Sequence, residues 1–356
     1  MSVVELMRPE IQALDPYAAA EQVEEAVRLN ANESPDTSAS NRFRRPLNRY
    51  PEVRPRRLQA QLAARFGCRP EQLLVTRGSS EAIDLIIRSF CRAGHDSMVT
   101  HSPTFSMYGH YAEIQGADLI EVQTTGEQDF AIDVDALVDA CRPETRLVFI
   151  CSPNNPTGNL LPVPELERLL TARDQTSAVV VDEAYIEFAS VPSVISLLDR
   201  HPNLLVLRTL SKALGCAGAR CGAVIGPESV IRLLDAVQAP YALATPVVEC
   251  VEEALQDEQL KRAHVMVGKI VDERERVASE LANFGFVRKI WSSHANFLLV
   301  EVADADRVMR SCAEHNVLLR HFGGTLADCI RISIGSAAEN DRLLGALNTI
   351  SEVALG

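Results

Sequence analysis

Lys212 stands just after "LLVLRTLS", an apolar run that reads as a buried strand. A lysine drawn into a closed site loses the solvation of its ammonium group, so its pKa falls and the free amine that condenses with an aldehyde becomes available. An isolated Ser-Lys pair at a strand-to-helix turn is ordinarily a surface lysine. The groups at the other strand ends change that reading.

Asp182, Glu183, Ala184 and Tyr185 follow "AVVV", so a carboxylate comes after residues that a parallel sheet would bury. A buried aspartate needs a cationic or strong donor partner, and a protonated heterocyclic nitrogen would serve. After "LVFIC" comes "SPNNPTG", in which the prolines restrict the backbone and hold Asn154 and Asn155 at the strand's mouth. After "LLVT" come Arg77, Gly78, Ser79 and Ser80, leading into a helix whose first turn carries Glu81 and Asp84. Free amides there attract an anion such as phosphate, although either serine alone reads as an ordinary N-cap. Together the strand ends offer an imine-forming amine, a carboxylate for a ring nitrogen, an amide and a phenol for a ring oxygen, and a phosphate cradle finished by Arg220. Those are the groups that pyridoxal 5'-phosphate needs.

The elements that must position these residues are short apolar runs alternating with helical segments from Gln72 onward: "QLLVT", "DSMVT", "DLIEV", "RLVFIC", "SAVVVD", "NLLVLRT" and "CGAVIG". Strands alternating with helices predict a mostly parallel α/β sheet covered on both faces. In such a sheet, ligands sit beyond the carboxyl ends of the strands. Near Pro240 the pattern shifts to long charged helices, then "ANFLLVEV", "VLLR" and "CIRISIG", which predicts a smaller α+β domain closed by a C-terminal helix. The expected division is an N-terminal arm over 1–40, a large domain over 41–240 and a small domain over 241–356, with the change falling around 235–265.

The net charge of -13 repels a phosphate backbone and argues against nucleic acid as a partner. Nine scattered cysteines, without a C-x-x-C pair, read as reduced and mostly buried thiols, and no histidines sit at metal-ligand spacing. The start, "MSVVELMRPEIQALDPY", lacks a basic segment followed by an apolar run, and no stretch is long enough to span a bilayer. The expectation is a soluble, cytoplasmic enzyme with no metal and no membrane partner.

The chain resembles the fold-type I pyridoxal-phosphate aminotransferases, and among them the histidinol-phosphate aminotransferases. The resemblance runs through "LDPY", "LNANE", "LNRYPE", "RGSSEAI", "CSPNNPTG", "VDEAYIEF", "LRTLSKA", "AGARCG", "APYALATP" and "RISIG". It implies a seven-stranded, mostly parallel large domain, with Lys212 as Schiff-base lysine and proton shuttle. Asp182 would keep the pyridine nitrogen protonated, and Asn155 and Tyr185 would bond the phenolic oxygen. Ser79, Ser80, Ser211 and Arg220, with Thr209 adding a hydroxyl, would form the phosphate cup. Phe105, in "SPTFSMY", stands where relatives commonly stack a tyrosine on the ring. Tyr50 matches a tyrosine that in relatives reaches the neighbouring subunit's phosphate, which implies a homodimer with shared sites.

By the same resemblance, Arg331 binds the amino donor's carboxylate. Arg320, with Tyr17 and Tyr241, makes a site for a distal dianion, and Asn155 also touches substrate. The reaction implied is amino transfer between L-histidinol phosphate with 2-oxoglutarate and imidazole acetol phosphate with L-glutamate, in histidine biosynthesis. The rivals within the fold are an aromatic aminotransferase and a decarboxylase resembling threonine-phosphate decarboxylase. A cofactor-binding regulator would need a DNA-binding module for which the chain has no segment. A nucleotide-binding reading of "RGSSEA" and "GCAGARCG" lacks the proper glycine spacing.

Overall fold

The structure, a computed structural model, describes residues 2–17, 22, 30–37 and 43–353. Parts of the arm expected over 1–40, including Leu29 of "LNANE", lie outside the described residues.

Seven strands form the large sheet: β1 (Leu73–Thr76), β2 (Ser97–Ser102), β3 (Asp118–Gln123), β4 (Thr145–Cys151), β5 (Ala178–Asp182), β6 (Leu204–Thr209) and β7 (Gly222–Ile225). Their order is β1-β7-β6-β5-β4-β2-β3, and β7 runs antiparallel to both neighbours while the rest are parallel. The expected sheet is therefore present, with "CGAVIG" as the reversed strand. Central β5 and β6 are buried at every position, as their unbroken apolar runs require of a sheet covered on both faces. Edge strand β3 instead alternates between exposed and half-buried residues.

Two apolar layers sandwich the sheet. On one face the helix Gly78–Phe90 buries Ala82, Ile83, Ile86, Ile87 and Phe90 against Leu205, Leu207 and Val224. On the other, the helices Arg56–Phe66 and Val163–Ala172 bury Leu58, Leu62, Leu166 and Leu169 against Val179, Val181 and Val206. Each such aliphatic side chain contributes about 1.5–3 kcal/mol when removed from water. Gly67, at φ 76°, ends the first of these helices in a left-handed turn that a side chain would strain.

The second sheet has the order β10-β11-β9-β8, all antiparallel, from β8 (Val287–Ile290), β9 (Phe297–Val302), β10 (Arg320–His321) and β11 (Cys329–Ser333). The long helix Asp257–Leu281 and the C-terminal helix Ala337–Val353 close its core around Val277, Leu281, Leu298, Ile330, Ile332 and Leu343. This is the smaller α+β body that the sequence predicts. It meets the large sheet through the His294 amide, which donates to the Gly158 carbonyl at 2.8 Å, and through Lys289 Nζ, which donates to the Gly126 carbonyl at 2.7 Å.

All nine cysteines are free and five of them are buried, which agrees with the thiol reading. Among the described residues no helix is long and apolar enough to cross a membrane, and no cluster could hold a metal ion.

Candidate active site

The carboxyl ends of β1, β2, β4, β5 and β6 share one edge of the large sheet. Because β7 is reversed, it delivers its beginning there: Gly222 pairs with Thr76 on one side and Thr209 on the other. That reversal is why Arg220, which precedes a strand, joins residues that follow strands. Above this edge lies a cavity of about 1040 Å³ lined by Ser79, Ser80, Phe105, Asn155, Asp182, Tyr185, Thr209, Ser211, Lys212, Arg220, Arg320 and Arg331. The topology thus gathers into one cavity residues spread over more than two hundred positions of chain.

Asp182 ends β5 at 2% exposure. It accepts from the Ala184 amide at 3.0 Å and from the Tyr108 hydroxyl at 2.9 Å, and burial pushes its pKa up to about 6. Tyr108 is fully buried, and the sequence reading misses it. Its signal was present in "SPTFSMY", where it follows Phe105 by three residues, one helical turn in. Phe105 packs edge-on against it at 5.7 Å between centroids and lines the cavity wall.

Lys212 is half-buried, with its Nζ 5.5 Å from the centre of the Tyr185 ring. Burial first, then the cationic neighbours Arg331 and Arg220, lower its pKa, while Asp182 opposes them. The amine that the sequence argument requires is therefore favoured by the fold's own electrostatics. Asn155 Nδ2 stands 3.4 Å from the Tyr185 hydroxyl, so the amide and the phenol converge at one point.

Arg220, in the left-handed region at φ 51°, has its guanidinium 3.5 Å from Ser211 Oγ and 3.1 Å from the Ala217 carbonyl. It pairs with no carboxylate among the described residues. Gly78 sits at φ 76°, where a side chain is strained, and a Cβ there would come within 2.9 Å of that guanidinium. The helix begins at Gly78 with Arg77 at the N-cap position and no side-chain capping bond. Ser79 and Ser80 are therefore not caps but members of the first turn, with amides free for an outside anion. Thr209 Oγ1 donates to Ser211 Oγ at 3.0 Å, which joins the two hydroxyls of the cup.

The small body supplies the far wall. Arg331 Nη1 donates to Asn155 Oδ1 at 2.5 Å, and Ile330 and Ile332 beside it are buried, as the flanking apolar residues predict. Arg320 lies directly opposite Arg331 in the β10–β11 pair. Tyr17, Tyr50 and Tyr241 do not line this chain's cavity. They form a separate cluster of exposed Tyr17 and Tyr50 around half-buried Tyr241, which stacks on Tyr50 at 4.7 Å and meets Tyr17 edge-on at 6.3 Å.

An amine of lowered pKa, a buried carboxylate without a cation in hydrogen-bond contact, a converging amide and phenol, and an anion cradle on this sheet define the fold-type I pyridoxal-phosphate transferases. Residues 16–347 match the family described as Aminotransferase class I and II, and the chain belongs to that family. The histidinol-phosphate aminotransferase of Stenotrophomonas maltophilia is 42% identical over 97% of this chain and 96% of its own. The crystal structure of the Sinorhizobium meliloti histidinol-phosphate aminotransferase in complex with pyridoxal-5'-phosphate is 26% identical, with a TM-score of 0.77 over 86% of this chain and 84% of that one. The L-threonine-O-3-phosphate decarboxylase of Porphyromonas gingivalis, 22% identical with a TM-score of 0.73 over 86% of this chain and 91% of that one, shares the fold.

Proposed function

We propose that this aminotransferase uses pyridoxal 5'-phosphate to move an amino group between L-histidinol phosphate and 2-oxoglutarate, as a cytoplasmic step of histidine biosynthesis. The observation that carries the substrate reading is the cross-strand pair Arg320 and Arg331, two cations facing one cavity with no carboxylate partner among the described residues. Such a pair suits a substrate with a phosphate dianion or with two carboxylates and offers nothing to a purely aromatic side chain. The name of the relative at 42% identity supports the same choice.

The residues present fit the cofactor. Asp182 is a buried carboxylate whose pKa is raised by burial and only partly offset by Tyr108, the Ala184 amide and Lys212, none of the three a cation in hydrogen-bond contact, and a ring N–H would fill that place. The cofactor, when bound, supplies the electron sink for the bond broken at the substrate's amino carbon. Lys212 would anchor the cofactor through its amine and would carry the proton to and from the substrate's reacting carbon. Asp182 keeps the ring nitrogen protonated, and Tyr108 and the Ala184 amide orient Asp182. Asn155 and Tyr185 donate to the phenolic oxygen. Ser79, Ser80, Ser211, Thr209 and Arg220 grip the phosphate, and Phe105 covers a face of the ring. Arg331, with Asn155 beside it, would bind the carboxylate of glutamate or 2-oxoglutarate, and Arg320 would take the substrate's phosphate or the far carboxylate.

We assign 41–240 to the cofactor-binding domain and 241–356 to the small one. The Tyr17–Tyr50–Tyr241 cluster, outside its own cavity, is read as this chain's contribution to a partner's site in a homodimer. The test is the visible absorption spectrum of the purified protein with L-histidinol phosphate and, in parallel, L-phenylalanine. Conversion of the cofactor band by histidinol phosphate and much less by phenylalanine is expected. Conversion by phenylalanine alone would give the site to an aromatic substrate.

A further inference from the structure

Resting on that reading, we infer that Phe322 is a specificity-determining residue: its ring is the apolar plate that holds Arg320 and Arg331 apart and in register for a substrate carrying a phosphate dianion or two carboxylates. Arg320 and Arg331 are direct cross-strand partners, an arrangement in which like charges repel. Arg320 makes no hydrogen bond or ion pair among the described residues, so no polar contact fixes its long side chain. Phe322 comes two residues later, which places it on the same side of the extended chain. The Arg320 guanidinium carbon lies 5.6 Å from the centre of the Phe322 ring, and that of Arg331 lies 5.8 Å from it. The Phe297 ring approaches Arg331 at 5.3 Å as well.

The plate is itself anchored. Phe322 packs on a small apolar cluster that includes Trp291, Leu326 and Phe130, the last contributed by the turn before the large domain's helix Val134–Ala140. The ring draws the two guanidinium groups to its faces and leaves their N–H edges for an anion. A donor with a single carboxylate, such as phenylalanine, gains less from this arrangement than one with a phosphate dianion or two carboxylates, so Phe322 acts on selectivity.

The test compares Phe322→Leu, which keeps apolar bulk and loses the π face, with Phe322→Tyr, which keeps the face. Steady-state kcat and KM are measured for L-histidinol phosphate, L-glutamate and L-phenylalanine, together with competitive inhibition by inorganic phosphate. Phe322→Leu is expected to lower the preference for histidinol phosphate over phenylalanine about tenfold, the size of one cation–π contact in a partly dry site. The loss falls on KM, phosphate inhibition weakens in parallel, and Phe322→Tyr retains the wild-type preference. An unchanged preference in Phe322→Leu, or an equal loss for all donors, overturns the inference. If wild type favours glutamate but not histidinol phosphate over phenylalanine, the proposed substrate fails, and the glutamate-to-phenylalanine ratio in Phe322→Leu still decides the role of Phe322.

Discussion

The Tyr108 hydroxyl donates to Asp182 Oδ2 at 2.9 Å, and both residues are buried at the floor of the cavity. Tyr108 is thus a positioning residue for the carboxylate proposed to face the cofactor ring. Its hydrogen bond lowers the Asp182 pKa against the larger effect of burial. Tyr108→Phe removes that support, so Asp182 takes up a proton at higher pH. We expect kcat/KM to fall by about tenfold or more, as for a lost bond to a charged group. The acid limb of its pH profile should move upward. An acid limb identical to wild type would show that Tyr108 only fills space.

Asp182 also carries a cost in stability when no cofactor is bound. Its folded-state pKa of about 6 lies above the ordinary 3.8, so between these values the folded chain binds the proton more tightly than the unfolded one. Stability contributed by this group therefore falls as pH rises through that window and stays lower above it. The loss amounts to about 3 kcal/mol for a shift of this size. Cofactor-free Asp182→Asn is expected to unfold at a higher temperature than cofactor-free wild type at pH 7–8, with the difference vanishing near pH 4. Calorimetry across that range checks the sign. The same variant should bind cofactor yet react poorly, whereas Asp182→Ala should weaken cofactor retention.

On the proposed reading, Lys212→Ala removes both the covalent anchor and the proton carrier. Turnover should drop at least a thousandfold, within the span that a positioned acid–base group supplies. Mass spectrometry after borohydride reduction should find cofactor attached to wild type and none attached to the variant. Attachment at another lysine would move the assignment.

Beneath the catalytic edge, Arg208 reaches Glu187 at 2.6 Å and Glu183 at 3.6 Å, and Glu183 also accepts from the Val194 amide at 2.8 Å. Glu183 follows Asp182, and Arg208 precedes Thr209, so this buried network ties together the two strand ends that carry the chemistry. Arg208→Met leaves buried Glu183 without its cation and takes the partner of half-buried Glu187, at a cost of about 3–5 kcal/mol. A matching fall in denaturant midpoint is expected, and a midpoint unchanged from wild type would count against the network.

Tyr50 and Tyr241 can be tested by mixing subunits. If they act across a dimer, Tyr50→Ala and Lys212→Ala proteins, each inactive alone, should regain activity when unfolded together and refolded. Hybrid dimers would then hold one site with both residues intact. No regain would place Tyr50 within its own subunit's function.

Much of this was legible in the sequence because strand ends in a parallel sheet share an edge, and each apolar run marks where its polar successor must fall. The alternation of buried runs and helices predicted the sheet, and Lys212, Asp182, Asn155, Tyr185, Ser79, Ser80, Thr209, Ser211 and Arg220 all line one cavity. Local pattern could not report what depends on distance between segments. The Tyr108–Asp182 bond joins residues 74 positions apart, and the Arg331–Asn155 bond joins residues 176 apart. The facing of Arg320 and Arg331 depends on the register of two short antiparallel strands, and a one-residue slip would turn one side chain to the other face. The grouping of Tyr17 and Tyr50 around Tyr241, away from their own cavity, likewise follows from where three separate loops come to rest. Residue types and their order determined the chemistry available to this protein. Only the tertiary structure decided which groups meet, because contact between distant segments is set by packing and register, not by spacing along the chain.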